Sequence, residues 1–212
     1  MAKIKSFVFN DFQTNAYLIY DETNQAVIID GATNSNYEYE QLKSFLEINN
    51  LKLKYILNTH GHLDHVCGNY YLKSTFNIPI MMSFEDNYLV ENSLNFAKSY
   101  GFSIEKPPQA NVDLKDKDLI NFGNTIIEVI TCPGHTPGGV AFYVEKDNIL
   151  ISGDSLFMQS IGRTDLPGGN YEKLIQSISQ RIFTLKPQTV VYPGHGPETN
   201  IENEIKYNPF FQ

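Results

Sequence analysis

The 212-residue chain lacks any apolar run near the ~18 residues needed to cross a bilayer. Its opening, MAKIKSFVFNDFQ, has neither a charged stretch leading into an apolar run nor a small-residue cleavage site. These absences predict a chain without a signal peptide, cytoplasmic and with no membrane partner. Basic charge is scarce as well: 16 Lys and Arg stand against 24 Asp and Glu, for a formal net charge of −8. The nearest thing to a cationic cluster is Lys52 and Lys54, which alternate along one face of an expected strand. A nucleic-acid partner is excluded on this ground, because phosphate binding needs a net or local basic surface. Cysteine is almost missing. Cys67 and Cys132 could form one disulfide at most, and a cytoplasmic chain of this size needs none, so both are expected as free thiols. No GxSxG motif is present, which removes the serine nucleophile elbow.

What is present is ordinary globular composition, 42% apolar and 19% charged, at a length that suits one domain over residues 1–212. The runs SFVF (6–9), AYLIY (16–20) and AVIID (26–30) are β-branched and aromatic and are broken by turn-forming residues, as in a strand meander. Leu42, Phe45, Leu46 and Ile48 recur at helical spacing over 37–49, and a strand follows at 54–57. A short helix ending before Pro79, a buried strand at IPIMM and a polar helix over much of 83–98 come next. Residues 99–118 have no period and are rich in proline and charge, so they are expected as a surface loop. Strands are then predicted at 125–131, 140–144, 148–152 and 189–193, with a helix over about 171–184 whose buried face is Leu174, Ile175, Ile178 and Ile182. Strands, then a helix, then a strand recur in both halves. That repetition predicts an α/β architecture: two β-rich layers of mixed sheet with helices on their outer faces.

Three of the five histidines fall in one segment, THGHLDH, which places His60, His62, Asp64 and His65 directly after an expected strand. A lone histidine on such a loop reads as a hydrogen-bonded surface residue. Four ligand-type side chains together point instead to a divalent transition metal, for which imidazole and carboxylate suit zinc, iron or manganese. On an extended loop His60 and His62 can face one ion, while Asp64 and His65, opening the next turn, can face a neighbouring one. Three further donors stand at strand ends beside glycines: His135 in TCPGHTPGG, Asp154 in ISGDSLF and His195 in VYPGHGP. Taken singly, Asp154 reads as a turn residue and His195 as a loop residue. Together they use every histidine in the chain.

These motifs, with FNDFQTNAYLIYD, VIIDGA, IGRTDLPGG, YPGHGPET and the terminal NPFF, resemble those of metallo-β-lactamase-fold hydrolases, and within them the small glyoxalase II-like (hydroxyacylglutathione hydrolase-like) proteins. The resemblance implies an αββα sandwich. It makes His60, His62 and His135 ligands of a first metal, Asp64, His65 and His195 ligands of a second, and Asp154 the bridge between them. The implied activity is hydrolysis of S-lactoylglutathione or a similar small acyl thioester by two divalent ions, zinc foremost, that share an attacking hydroxide which Asp64 also orients. The chain ends shortly after His195, without the C-terminal helical extension that helps larger glyoxalase II enzymes bind glutathione. Where those enzymes tend to carry a lysine-containing loop, Arg163 offers a cation. It can grip a substrate carboxylate or pair with Asp165 to hold the loop.

The same THxHxDH and GRTD patterns resemble persulfide dioxygenases, which would use a single iron held by two histidines and one aspartate. A lactonase of the same fold is a further alternative, and a non-catalytic metal-binding domain a third. Cys67 and Cys132 lie near expected ligands but are assigned to packing, since five histidines and two aspartates already complete two sites.

Overall fold

The computed structural model describes residues 1–212. One six-stranded sheet holds β1 (Lys3–Phe9), β2 (Thr14–Tyr20), β3 (Gln25–Ile29), β4 (Lys52–Leu57), β5 (Ile80–Met82) and β6 (Val112–Asp113), paired in chain order. The first three are antiparallel and the rest parallel, because β3, β4 and β5 are linked by helical crossovers. The second half supplies β7 (Leu119–Phe122), β8 (Thr125–Thr131), β9 (Val140–Val144), β10 (Ile149–Gly153), a small ribbon of β11 (Leu156–Phe157) and β12 (Ser160–Ile161), then β13 (Val190–Pro193) and β14 (Thr199–Asn200). Apart from the ribbon these form a second six-stranded sheet in the order β14-β13-β10-β9-β8-β7, mixed through the parallel β10–β13 pair.

Strand alternation explains why the two sheets stack. In β2 and β3, Tyr17, Ile19, Val27 and Ile29 point to the space between the sheets, while Leu18, Ala26 and Ile28 point to the opposite face. In β9, Val140 and Phe142 meet the first set, and Ala141 and Tyr143 face outward. Each outer face is closed by helices. On the first sheet lie α1 (Asn36–Ile48), whose Leu42 and Leu46 are buried, and α3 (Asn69–Phe76), with Leu72 buried. Ser35 and Glu38 form a reciprocal capping box at the start of α1. On the second sheet lie α6 (Tyr171–Ser177), a π-helical turn (Ile178–Ile182) and α7 (Ile201–Tyr207). Leu174, Ile178 and Ile182 are fully buried there at four-residue spacing, as their periodicity predicts. The result is the expected two-sheet sandwich with helices outside.

Three local expectations need correction. The segment 83–98 is not one polar helix. It is a 3₁₀ turn (Phe84–Asp86) followed by α4 (Asn87–Glu91) and α5 (Ser93–Ser99), broken at Asn92, whose backbone (φ −89°, ψ 1°) leaves the helical region. Residues 99–118 are not wholly a surface loop: Ala110 and Leu114 are buried, and the β5 edge draws in β6 through Asn111 N donating to Ile80 O (3.0 Å) and Leu114 N to Met82 O (3.2 Å). The short β14 and α7 after His195 are additional, anchored by buried Glu204, which accepts from Thr199 Oγ1 and Asn208 Nδ2, both at 2.7 Å.

Since β3, β4, β8, β10 and β13 run in compatible directions, their C-terminal ends meet at one rim of the sandwich, and antiparallel β2 begins there. Asn15 N donates to Gly194 O (2.7 Å) and Tyr17 OH to Pro193 O (2.6 Å), stitching the first sheet to the end of β13 at that rim.

Candidate metal centre

All seven donor residues singled out in the sequence stand at this rim. His60 and His62 follow β4; Asp64 and His65 lie in the single-turn helix α2 (Leu63–Val66); His135, Asp154 and His195 follow β8, β10 and β13. They assemble in two trios linked by a third group, His60, His65 and Asp154. His60, His62 and His135 bring one ligand-type atom each within 4.8 Å of one another, as do Asp64, His65 and His195. His62 Nδ1 is 2.9 Å from His135 Nε2. Asp154 lies between the trios, with Oδ2 3.6 Å from both His135 Nε2 and His195 Nε2 and Oδ1 3.4 Å from His65 Nε2. Asp64 Oδ2 is 3.2 Å from His195 Nε2 and 3.3 Å from His65 Nε2.

The outer ring of hydrogen bonds fixes which nitrogen of four of the five histidines faces inward. His135 Nδ1 donates to Arg163 O (2.8 Å) and His195 Nδ1 to Phe12 O (3.1 Å); a carbonyl can only accept, so the Nε2 of each ring is left for the centre. His65 Nδ1 donates to Asp30 Oδ2 (3.0 Å). Thr59 Oγ1 donates to the same carboxylate oxygen (2.7 Å) and lies 3.0 Å from His60 Nδ1, which its remaining lone pair can receive. Thr14 Oγ1 donates to Asp64 Oδ2 (2.9 Å).

Electrostatics separate the trios. Burial, reinforced by neighbouring imidazoles, holds His60 well below its ordinary value and pushes His62 down to about 3, so these rings are neutral with lone pairs available. Burial alone would lower His65 too, but the carboxylates of Asp64, Asp154 and Asp30 outweigh it and push it up to about 10. His195 is also raised: burial opposes the shift, and its hydrogen bond to Asp64 and the charge of Asp154 prevail. Burial would raise Asp64, yet His65 and His195 hold it below the usual carboxylate range.

The donor set fits divalent metal ions. His60 Nε2, His65 Nε2 and Asp154 Oδ1 are buried without a hydrogen-bond partner, an arrangement that costs about 1–3 kcal/mol per group unless something is bound there. Glycine is needed beside them: a Cβ on Gly194 would collide with Asp154 Oδ1 and approach His65 Cε1 to 2.8 Å.

Two acidic residues of this network went unassigned in the sequence. Asp30, in VIIDGA, is buried with a left-handed backbone (φ 50°) and supports both His65 and Thr59. Asp86, in SFEDN, is fully buried and accepts from Gly61 N (3.0 Å), Thr136 Oγ1 (2.7 Å) and Gly138 N (2.7 Å), tying the His60–His62 loop to the His135 loop. Burial raises its carboxyl pKa against those three hydrogen bonds. Its location beside a strand end was the only available signal, and no spacing marks it. Arg163 adopts the structural alternative: Nε and Nη2 donate to the two oxygens of Asp165, each at 2.8 Å, and its carbonyl rather than its guanidinium touches the histidine network. Cys67 and Cys132 are free and buried, and burial pushes both thiols up, Cys132 to about 11.

The centre floors a cleft of about 310 Å³ lined by His62, Asp64, His135, Asp154 and His195 together with apolar side chains. A larger groove of about 700 Å³ shares the 133–139 loop, but none of the seven donors lines it. No helix is long and apolar enough to cross a membrane.

The family model described as the metallo-beta-lactamase superfamily matches residues 9–195, which include every donor. Among curated proteins, the hydroxyacylglutathione hydrolase GloC of Haemophilus influenzae is 36% identical over 206 residues, covering 94% of this chain and 93% of that one. Among solved structures, the BLEG-1 B3 metallo-beta-lactamase superposes with a TM-score of 0.90 at 35% identity, covering 99% of each chain. TTHA1623 in a di-iron-bound form superposes at 0.88 and 35%, covering 97% of this chain and 99% of that one. With its two mixed sheets, its rim of histidines and its match over most of its length, this chain belongs to the metallo-beta-lactamase superfamily of metal-dependent hydrolases.

Proposed function

We propose that the protein is a binuclear metallohydrolase that cleaves small acyl thioesters, with residues 1–212 acting as one catalytic domain in the cytoplasm. In this reading His60, His62 and His135 hold one divalent ion, Asp64, His65 and His195 the other, and Asp154 serves both. The observation that carries it is the convergence of His60, His65 and Asp154, each with an orphaned buried atom and with ligand-type atoms within 4.8 Å of one another, beside an open cleft that Asp154 itself lines. The second trio is as closely grouped as the first, which favours two ions over the single iron of a persulfide dioxygenase. Zinc suits the mixed imidazole and carboxylate set, and the di-iron form of TTHA1623 makes iron the principal rival.

Bound there, divalent ions would supply Lewis acidity towards the substrate carbonyl and lower the pKa of an attacking water. The residues do the rest. Asp64, anionic at neutral pH and fixed by Thr14, can accept a hydrogen bond from that water and orient it. Asp30, Thr59, the Arg163 carbonyl and the Phe12 carbonyl hold four imidazoles in the tautomers that leave Nε2 facing inward. The chemistry needs no side-chain nucleophile. The thioester assignment draws support from GloC, a relative of nearly the same length, which shows that this name does not require a longer chain.

The test is a panel of S-lactoylglutathione, an N-acyl lactone, a β-lactam and glutathione persulfide, assayed on protein purified without an affinity tag. Metal-dependent hydrolysis of the thioester, abolished by a chelator and restored by zinc or manganese, is expected. Oxygen uptake with the persulfide and a single iron per chain would overturn the hydrolase reading, and turnover of the lactone or β-lactam alone would overturn the substrate class.

A further inference from the structure

The floor of the cleft is charged, whereas its walls are apolar. Phe12 comes from the turn between β1 and β2, Leu89 from α4, Phe96 from α5 and Tyr100 from its end, while Leu166 and Pro167 close the opposite side. Phe12 stacks on Phe102 (centroids 4.9 Å apart, planes at 21°) and meets Tyr100 edge-on at 5.9 Å. Tyr88 OH donates to Pro167 O (3.2 Å), joining the helical wall to the loop wall. Phe12 and Phe96 are each 38% exposed and Tyr100 59%, so aromatic surface at the mouth is left uncovered by the rest of the fold. Arg163 is the only lysine or arginine lining the cleft, and the Nε–Nη2 edge of its guanidinium is occupied by Asp165.

The thiol half of a glutathione thioester carries two carboxylates and one ammonium. In these walls its carboxylates would find one cation, whose charge is already balanced by a carboxylate tethered two residues away at high effective concentration. An uncharged, apolar thiol half meets no such competition and gains by covering Phe12, Phe96 and Tyr100. We infer that this cleft selects acyl thioesters whose thiol half is uncharged and apolar, and that Asp165 is a specificity-determining residue because it holds Arg163 back from anionic substrates. This rests on the thioesterase reading above. The reaction is ordinary hydrolysis: the oxygen of water bonds to the acyl carbon, the C–S bond breaks, one proton of the water passes to the leaving sulfur to give the thiol, and the other stays with the carboxylic acid.

The test compares two substrates with the same acyl group, S-lactoylglutathione and the S-lactoyl thioester of benzyl mercaptan, on the metal-loaded protein. Each kcat/KM is divided by that compound's alkaline hydrolysis rate to remove intrinsic reactivity. The benzyl thioester is expected to be favoured by about tenfold or more, as apolar contacts of this size allow. In Asp165→Asn the ratio should shrink several-fold through a gain on the glutathione thioester, and in Phe96→Ser it should shrink through a loss on the benzyl one. Equal ratios in all three proteins, or a wild-type preference for the glutathione thioester, would overturn the inference. If neither thioester turns over, the thioesterase reading fails on its own, and ligand-observed NMR with S-methylglutathione and benzyl methyl sulfide then decides whether the cleft prefers the apolar probe. Tighter binding of S-methylglutathione would overturn the inference there.

Discussion

Loading the metal-free protein with zinc should release more protons from one trio than from the other. His60 and His62 are held neutral by burial, so an ion binding them with His135 displaces no proton at pH 8 from either. His65 behaves in the opposite way. With its pKa at about 10, it is about 99% protonated at pH 8, and an ion that takes Nε2 must first remove that proton. Two pH units below the pKa, this competition costs about 3 kcal/mol, or about a hundredfold in affinity. The sign follows from the direction of the shift: a raised pKa means a tightly held proton, so the second ion binds more weakly as pH falls and reaches full affinity only above about pH 10. Calorimetric titration in two buffers of matched pH and different ionisation enthalpy counts the protons. The ion at His60 and His62 should release about one proton fewer than the ion at His65, and the second dissociation constant should change about tenfold per pH unit between pH 7 and 9. Equal proton release by both ions, or a second constant that is flat with pH, would refute the reasoning that Asp30, Asp64 and Asp154 hold His65 as a cation.

Further outcomes follow from the same contacts. Asp30→Asn removes the charge behind His65 while keeping its shape, so the pKa that governs binding of the second ion should drop by about one unit or more in the same calorimetry; an unchanged value would remove Asp30 from the account. Asp86→Ala strands Gly61 N, Thr136 Oγ1 and Gly138 N, at about 1–3 kcal/mol each. For a chain of this size the low end of that sum, about 3 kcal/mol, already lowers Tm by about 6–12 °C, and a change below about 2 °C would contradict it. Gly194→Ala drives a methyl group into Asp154 and against His65, so it should bind fewer than two ions by elemental analysis while keeping a wild-type circular dichroism spectrum; two ions at wild-type affinity would show that the close packing there is dispensable.

The metal centre was legible in the sequence because its donors are chemically rare and locally grouped. HxHxDH concentrates three of five histidines, and each remaining donor is flanked by glycine at the end of an alternating strand. The sandwich was legible for a related reason: runs such as AYLIY and VAFYV alternate between two apolar environments, which only a sheet covered on both faces provides. Asp30 and Asp86 escaped because a single carboxylate carries no periodic signal, and their importance arises from donors 25 to 52 residues away that only the fold brings near. Residues 83–98 misled as one polar helix because the segment holds no proline or glycine to mark the break at Asn92. The break at Asn92 is what turns Phe96 and Tyr100 towards the cleft with Leu89. Strands of two residues, β6 and β14, are too short to show any alternation. The pairing of Arg163 with Asp165 was foreseen as one of two alternatives, and sequence spacing could not choose between a substrate carboxylate and a local one.

The central claim is that all five histidines and both aspartates serve one two-ion centre. The most direct measurement is a crystal structure of protein purified without an affinity tag and loaded with zinc, with anomalous scattering recorded at the metal edge. Two peaks per chain are predicted, one within bonding distance of His60, His62 and His135, the other of Asp64, His65 and His195, with Asp154 reaching both. A single peak, or any of the five histidines standing clear of both, would contradict the account.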